Sequence, residues 1–263
     1  MKYYPLIFLL TLISLSSSRL VGDFLSSPEG CPQFFLKTRD GHFTPSILPD
    51  GQRFQQICQR YLGVDRFATF YDTHNKIPVY SAYRHIPHQR TIRASPNNWW
   101  TEPDLNIDEQ ANNWDYFQSR MKKGHLYPVY YSNDVKGIED SFTLTNAVPQ
   151  DQRFSTQWFT QVEKPVTELL QYNCAWNQVY VVTGVVPSKH KINKRVAIPS
   201  HFWTAYCCLD TKGNVVAHGA YLAQWIGFMN LTKYPNMVGL EKELTGLYPV
   251  GIFQFFQVFG GRC

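Results

Sequence analysis

The chain has 263 residues, a formal net charge of +5, and 44% apolar residues, including 16% aromatic ones. That apolar share supplies a sizeable core and excludes a low-complexity chain; with no linker or repeat, a single domain is expected. Mild basicity permits a nucleic-acid partner without requiring one, because a phosphate-binding surface shows itself by local clustering of charge.

Lys2, the apolar run Leu6 to Leu15 and the small residues Ser16, Ser17 and Ser18 read as a secretory signal peptide over residues 1–18. The mature domain is then expected over 19–263, secreted into an oxidising, extracellular compartment. A membrane anchor needs roughly 20 apolar residues; this run ends sooner, and no later stretch is long enough. No stable membrane insertion is expected.

Phe67 to Asp72 and Ile77 to Tyr83 flank the turn-prone His74-Asn75-Lys76 and predict a β-hairpin. Further strands are expected over Ser141 to Leu144, Val179 to Val186, Phe202 to Cys207 and Val215 to Tyr221. Phe154, Trp158, Val162 and Val166 recur at helical spacing, with Leu169 and Leu170 continuing the stripe. Pro165 inside that stripe predicts a kink or two shorter helices. Strands with long connections and few βαβ units indicate an α+β fold. The basic run Lys189 to Arg195 reads as a solvated loop, and Ile252 to Phe259 as a buried terminal strand.

Six cysteines in an oxidising compartment suggest up to three disulfides. Cys31 is expected to pair with Cys58, and Cys263 with Cys207 or Cys208. The absence of a Cys-x-x-Cys pair speaks against zinc. Asn230-Leu231-Thr232 is a glycosylation sequon.

Chemistry-bearing residues concentrate between 121 and 163. Lys122-Lys123-Gly124-His125 sets an imidazole beside a glycine and two lysines. Thr145-Asn146-Ala147-Val148-Pro149-Gln150 follows, and then the expected helix with Ser155 and Glu163. Phosphodiester hydrolysis needs a base near neutral pH, which histidine supplies, a hard cation on oxygen ligands, and positive side chains to balance phosphate.

These segments resemble the DNA/RNA non-specific endonuclease family, whose finger of two strands and a helix carries D-R-G-H and then T-N-x-x-P-Q. The resemblance is closer to the vertebrate endonuclease domain-containing 1 group. It runs in order through Phe67 to Thr73, Ile77 to Tyr83, Asn98 to Pro103, Phe142 to Ala147 and Ile198 to Ala205. It implies a central antiparallel or mixed sheet carrying a ββα-metal finger. By the same resemblance His125 is the general base, Asn146, Ser155 and Glu163 surround a divalent metal, magnesium or manganese, and Lys122 and Lys123 bind nucleic acid, DNA or RNA. No protein partner is implied.

Three positions depart from the family pattern: Lys122 and Lys123 replace its aspartate and arginine, and Ser155 its asparagine. Lys123 keeps the charge without the planar fork of arginine. Lys122 reverses charge beside His125 and is expected to lower its pKa. Ser155 is a shorter oxygen donor, for which Asp151 is a candidate substitute. The alternative is a catalytically inactive descendant that keeps the fold as a binding module. Trp99-Trp100 reads as core, and His201 as structural.

Overall fold

Side-chain alternation along residues 179–186 and 202–208 organises the molecule, because both faces of these two paired stretches are covered. Val179, Val181 and Val185 enter one core with Phe202, Tyr206 and Cys208, while Tyr180, Val182 and Val186 enter a second with Trp203, Ala205 and Cys207. A strand buried on both faces reads as a continuous apolar run rather than an alternating one. The computed structural model describes residues 18–48, 50, 52–61, 63–86, 98–117, 119–132, 135–175, 177–225, 227–248 and 254–263. Apart from Ser18, the expected leader lies outside the described residues.

The described elements begin with β1 (Arg19–Val21), β2 (Leu36–Thr38), β3 (Gly41–Phe43), β4 (Phe54–Tyr61), β5 (Val64–Asp72), β6 (Ile77–His85), α1 (Asn113–Phe117), β7 (Lys122–His125) and α2 (Val135–Ser141). They continue with β8 (Ala147–Gln150), α3 (Gln152–Trp158), α4 (Lys164–Asn173), β9 (Gln178–Ile192), β10 (Val196–Leu209), β11 (Val215–Trp225), β12 (Met229–Tyr234) and α5 (Met237–Leu247). Eight strands form one sheet in the order β1-β4-β5-β6-β9-β10-β11-β12. Every pairing in it is antiparallel. Helices α3 and α4 cover one face through Phe154, Trp158, Val166 and Leu170. The other face is covered by α5 and the C-terminal segment. This is the mixed α+β single domain expected. Among the described residues no helix is long and apolar enough to cross a membrane.

The expected hairpin is β5 and β6. Asp72 closes its turn by accepting the backbone N–H groups of His74 and Asn75 at 3.0 and 3.1 Å, while Arg53 grips the same carboxylate at 2.8 Å. The cysteines pair as Cys31–Cys58, Cys174–Cys208 and Cys207–Cys263. Period-two alternation sends Cys207 and Cys208 to opposite faces of β10, so adjacent residues tie down different layers.

Two expected strands are corrected. Ser141 ends α2, and among the described residues Phe142 to Thr145 bridges only to Trp100, which donates its N–H to the Phe142 carbonyl at 2.9 Å and accepts from Leu144 N–H at 2.7 Å. The segment alternates because Leu144 enters the core while Thr143 and Thr145 donate to Glu102, each at 2.6 Å. The C-terminal segment is buried through Phe256, Val258 and Phe259 but forms no strand over its described residues. Side chains of α5 satisfy its backbone instead: Val258 N–H donates to Glu241 at 2.8 Å and Phe256 N–H to Thr245 at 2.9 Å.

Candidate active site

β7 and β8 form a separate antiparallel ribbon in which Lys122 faces Gln150, Lys123 faces Pro149, Gly124 faces Val148 and His125 faces Ala147. α3 follows after Asp151, completing a strand, strand, helix finger. Asp151 accepts from the Arg153 and Phe154 N–H groups at 2.7 and 3.4 Å. Its carboxylate therefore caps the helix and does not line the cleft, contrary to its expected part as a substitute oxygen donor.

Alternation along β7 places Lys123 and His125 on one face and Lys122 on the other. An open cleft of about 260 Å³ is lined by Lys123, Gly124, His125 and Gln150 of the ribbon and by Ser155, Trp158, Phe159 and Glu163 of the helix that follows. Lys122 is exposed and outside this lining. Gly124 is required by close approach: a Cβ there would collide with the side chain of Gln150.

The helix reaches the cleft twice because it loosens between α3 and α4. Phe159–Glu163 is a π turn in which Lys164 N–H donates to the Phe159 carbonyl. Pro165 has no N–H to close the ordinary bond to Gln161, so the ladder widens here. Ser155, Phe159 and Glu163, four residues apart, drift by about 40° per step on an ideal helix. The wider turn absorbs part of that drift and keeps all three on the cleft.

The His125 ring is half-buried between Trp99, at 4.5 Å between ring centroids, and Phe142, at 4.6 Å and nearly perpendicular. Loss of hydration disfavours the cation and lowers its pKa to about 3. Burial is the cause, not Lys122, whose expected influence is corrected by its position on the opposite face. Nε2 of His125 is buried without a hydrogen-bond partner. Burial likewise raises the Glu163 carboxyl to about 8, opposed by a hydrogen bond with the Trp158 side chain. Lys123 holds its ammonium 5.2 Å from the Tyr116 ring centroid and 5.9 Å from that of Trp99.

Asn146 is not with these residues. It is fully buried, and its Oδ1 accepts from Tyr127 N–H at 2.8 Å and Ser81 Oγ at 3.1 Å. Its Nδ2 donates to the carbonyls of Ser141 at 3.0 Å and Tyr127 at 3.2 Å. A side chain so saturated has no lone pair directed at a metal, so its expected ligand role is corrected: it anchors the segment that follows His125. His201 donates or accepts with its neighbour Ser200 at 3.0 Å and lies outside the cleft lining.

Sequence reasoning missed the walls. Trp99 packs against the core as expected but also lies on the His125 ring, and Gln150 belongs to the cleft; both stand in segments that carry the resemblance. The donors available to a metal are the Glu163 carboxylate, the Ser155 hydroxyl and the Gln150 amide oxygen. Oxygen donors with a single carboxylate fit a hard cation that keeps several of its waters, as magnesium does. A carboxyl kept from ionising by burial is also one that a cation relieves.

The DNA/RNA non-specific endonuclease model matches residues 52–243. The human endonuclease domain-containing 1 protein is 32% identical over 285 aligned positions, covering 97% of this chain and 52% of the relative. Its mouse counterpart is 32% identical over 76% of this chain and 43% of its own. Human mitochondrial nuclease EXOG is 26% identical over 68% of this chain and 54% of its own. The chain thus spans about half the length of the curated relatives it matches. A solved structure of EndoG with EndoGI, described as showing the mechanism of EndoG inhibition, aligns with a TM-score of 0.56 at 17% identity, over 73% of this chain and 86% of that one. That likeness is one of fold. With the finger, the cleft and the matched span in agreement, the chain belongs to the DNA/RNA non-specific endonuclease family.

Proposed function

We propose that this chain is a secreted hydrolase that cuts phosphodiester bonds of DNA or RNA without reading sequence, with a divalent cation, magnesium or manganese. The observation that carries the proposal is the placement of His125 and Lys123 on one wall of the cleft and Ser155 and Glu163 on the other. His125, neutral through burial, takes the proton of the attacking water at a ring nitrogen. A phosphodiester's negative charge beside the ring raises its proton affinity toward the working range. Lys123 offsets phosphate charge as a point charge. Glu163 and Ser155 hold the cation and its waters. When bound, the cation stabilises the leaving oxygen. Trp99 and Phe142 keep bulk water from the ring. Three disulfides support an oxidising destination, and Asn230 is exposed on β12, where a glycan has room.

The test is plasmid nicking by purified protein with magnesium, manganese or a chelator. The wild type is expected to relax supercoiled plasmid only with metal, and His125→Ala to be slower by about a hundredfold or more. Equal rates for both proteins would overturn the assignment of the base. A binding module without turnover is the second reading, favoured by Lys123 and Ser155 standing where the family has arginine and asparagine. Oligonucleotide binding without nicking under either ion selects it.

A further inference from the structure

α1 carries Trp114 and Phe117, each 74% exposed, with ring centroids 5.4 Å apart and planes at 70°. Between them Asp115 and Tyr116 are buried. Two large aromatics turned outward from one short helix leave apolar surface in water, which a folded chain ordinarily covers unless something docks there.

The basic run Lys189 to Arg195, expected as a loop, is instead the end of β9 through Ile192 and the turn of the β9–β10 hairpin, where Asn193 and Lys194 adopt positive φ of 47° and 57°. Asp115 fastens this tip to α1: its Oδ1 accepts from Asn193 Nδ2 and Arg195 Nε, both at 3.1 Å. Lys191 and Lys194 remain exposed beside it. Asp115 is engaged as described, while Asp108, 3.5 Å from Arg195, keeps a carboxylate that is 88% exposed and offsets part of the positive charge of the tip. Trp114, Asp115, Ser119 and Asn193 line an open hollow of about 400 Å³ between helix and tip. On its other side α1 reaches the cleft, because the Tyr116 ring lies under the Lys123 ammonium.

We infer that α1 and the β9–β10 tip form a second nucleic-acid contact beside the cleft, in which Trp114 and Phe117 stack on bases of a single-stranded segment while Lys191 and Lys194 contact its phosphates. The inference rests on the proposed nuclease function for the class of ligand. Exposed rings stack on any base whose face is free, which a duplex hides and a single strand offers. Cations on the hairpin tip beside aromatics on the helix suit a backbone that carries one charge per nucleotide. An anionic membrane is the competing partner for such a patch.

The test measures binding of a labelled single-stranded oligothymidylate by anisotropy, in chelator so that nothing is cut. Trp114→Ala/Phe117→Ala is expected to weaken binding by about fivefold to a hundredfold per lost stack, with an unchanged melting temperature and unchanged duplex binding. Trp114→Phe/Phe117→Tyr is expected to restore it. Lys191→Gln/Lys194→Gln is expected to lower the slope of log affinity against log salt by about 1.4. Wild-type affinity in the aromatic variant overturns the inference. So does a variant that loses binding to phosphatidylserine vesicles while keeping the oligonucleotide. If the wild type nicks plasmid and the aromatic variant binds normally, only this contact fails. If the wild type neither nicks nor binds, the nuclease reading fails and this contact with it.

Discussion

The indole of Trp99 lies against the imidazole of His125, with ring centroids 4.5 Å apart and planes tilted by 38°. That contact helps strip water from the ring, and the protonation state of His125 follows from it. His125 is expected to stay neutral down to about pH 4 in an NMR titration, and Trp99→Ser to raise its pKa toward the ordinary 6.5. Because the folded pKa is depressed, the stability linked to neutral His125 is present above 6.5 and lost as pH falls toward about 3. Urea midpoints at pH 7 and pH 4.5 should therefore differ less in His125→Phe than in the wild type; equal differences would show that the ring is not desolvated.

Glu163 works in the opposite sense. Its carboxyl is raised from 4.5 to about 8, so the stability linked to its protonated form is present below 4.5 and lost as pH rises through 8. A cation there reverses that loss by favouring the carboxylate, and its binding releases a proton. Magnesium or manganese at about a hundred times its dissociation constant should raise Tm by roughly 5 to 10 °C. The rise should be larger at pH 8 than at pH 6 and vanish in Glu163→Gln. A rise that persists in this variant places the cation elsewhere.

Asn146 tests anchor against ligand. Asn146→Ala leaves the Tyr127 N–H, two carbonyls and the Ser81 hydroxyl without their buried partner, a loss of about 3 to 5 kcal/mol by chemical denaturation. Asn146→Asp replaces the donor facing Ser141 and Tyr127 with an acceptor and should destabilise as well, without tightening metal binding. A stable Asn146→Asp with tighter metal binding would restore the residue to the metal site.

The Cys174–Cys208 bridge joins the end of α4 to β10 across 34 residues. Cys174→Ala/Cys208→Ala is expected to lose about 3 to 4 kcal/mol from the loop-closure entropy returned to the unfolded chain. It should also loosen the layer that holds Glu163, so cation binding should weaken in calorimetry. Unchanged stability and unchanged binding would show that packing alone seats the helix.

Much of the fold was legible locally. The β5–β6 hairpin follows from two apolar runs around a turn, and the broken helix from a four-residue stripe interrupted by Pro165. Ser141 to Leu144 misled because alternation reports which side chains are buried, not whether a neighbouring backbone supplies a ladder. The C-terminal segment misled for the same reason, since Thr245 and Glu241 satisfy its backbone in place of a strand.

The residue types at the finger were set by the chain alone: an imidazole after glycine, a lysine two residues before it on the same strand face, and oxygen donors about one and about three helical turns into the following helix. Which of them meet was decided by tertiary packing. Asn146 is drawn inward by Ser81, Tyr127 and Ser141, Lys122 is turned out by strand alternation, and Trp99 is brought 26 residues along the chain to lie on His125. Proton affinity and ligand geometry depend on burial and on the direction of lone pairs. Those are properties of neighbours distant in the chain, and only the folded arrangement supplies them.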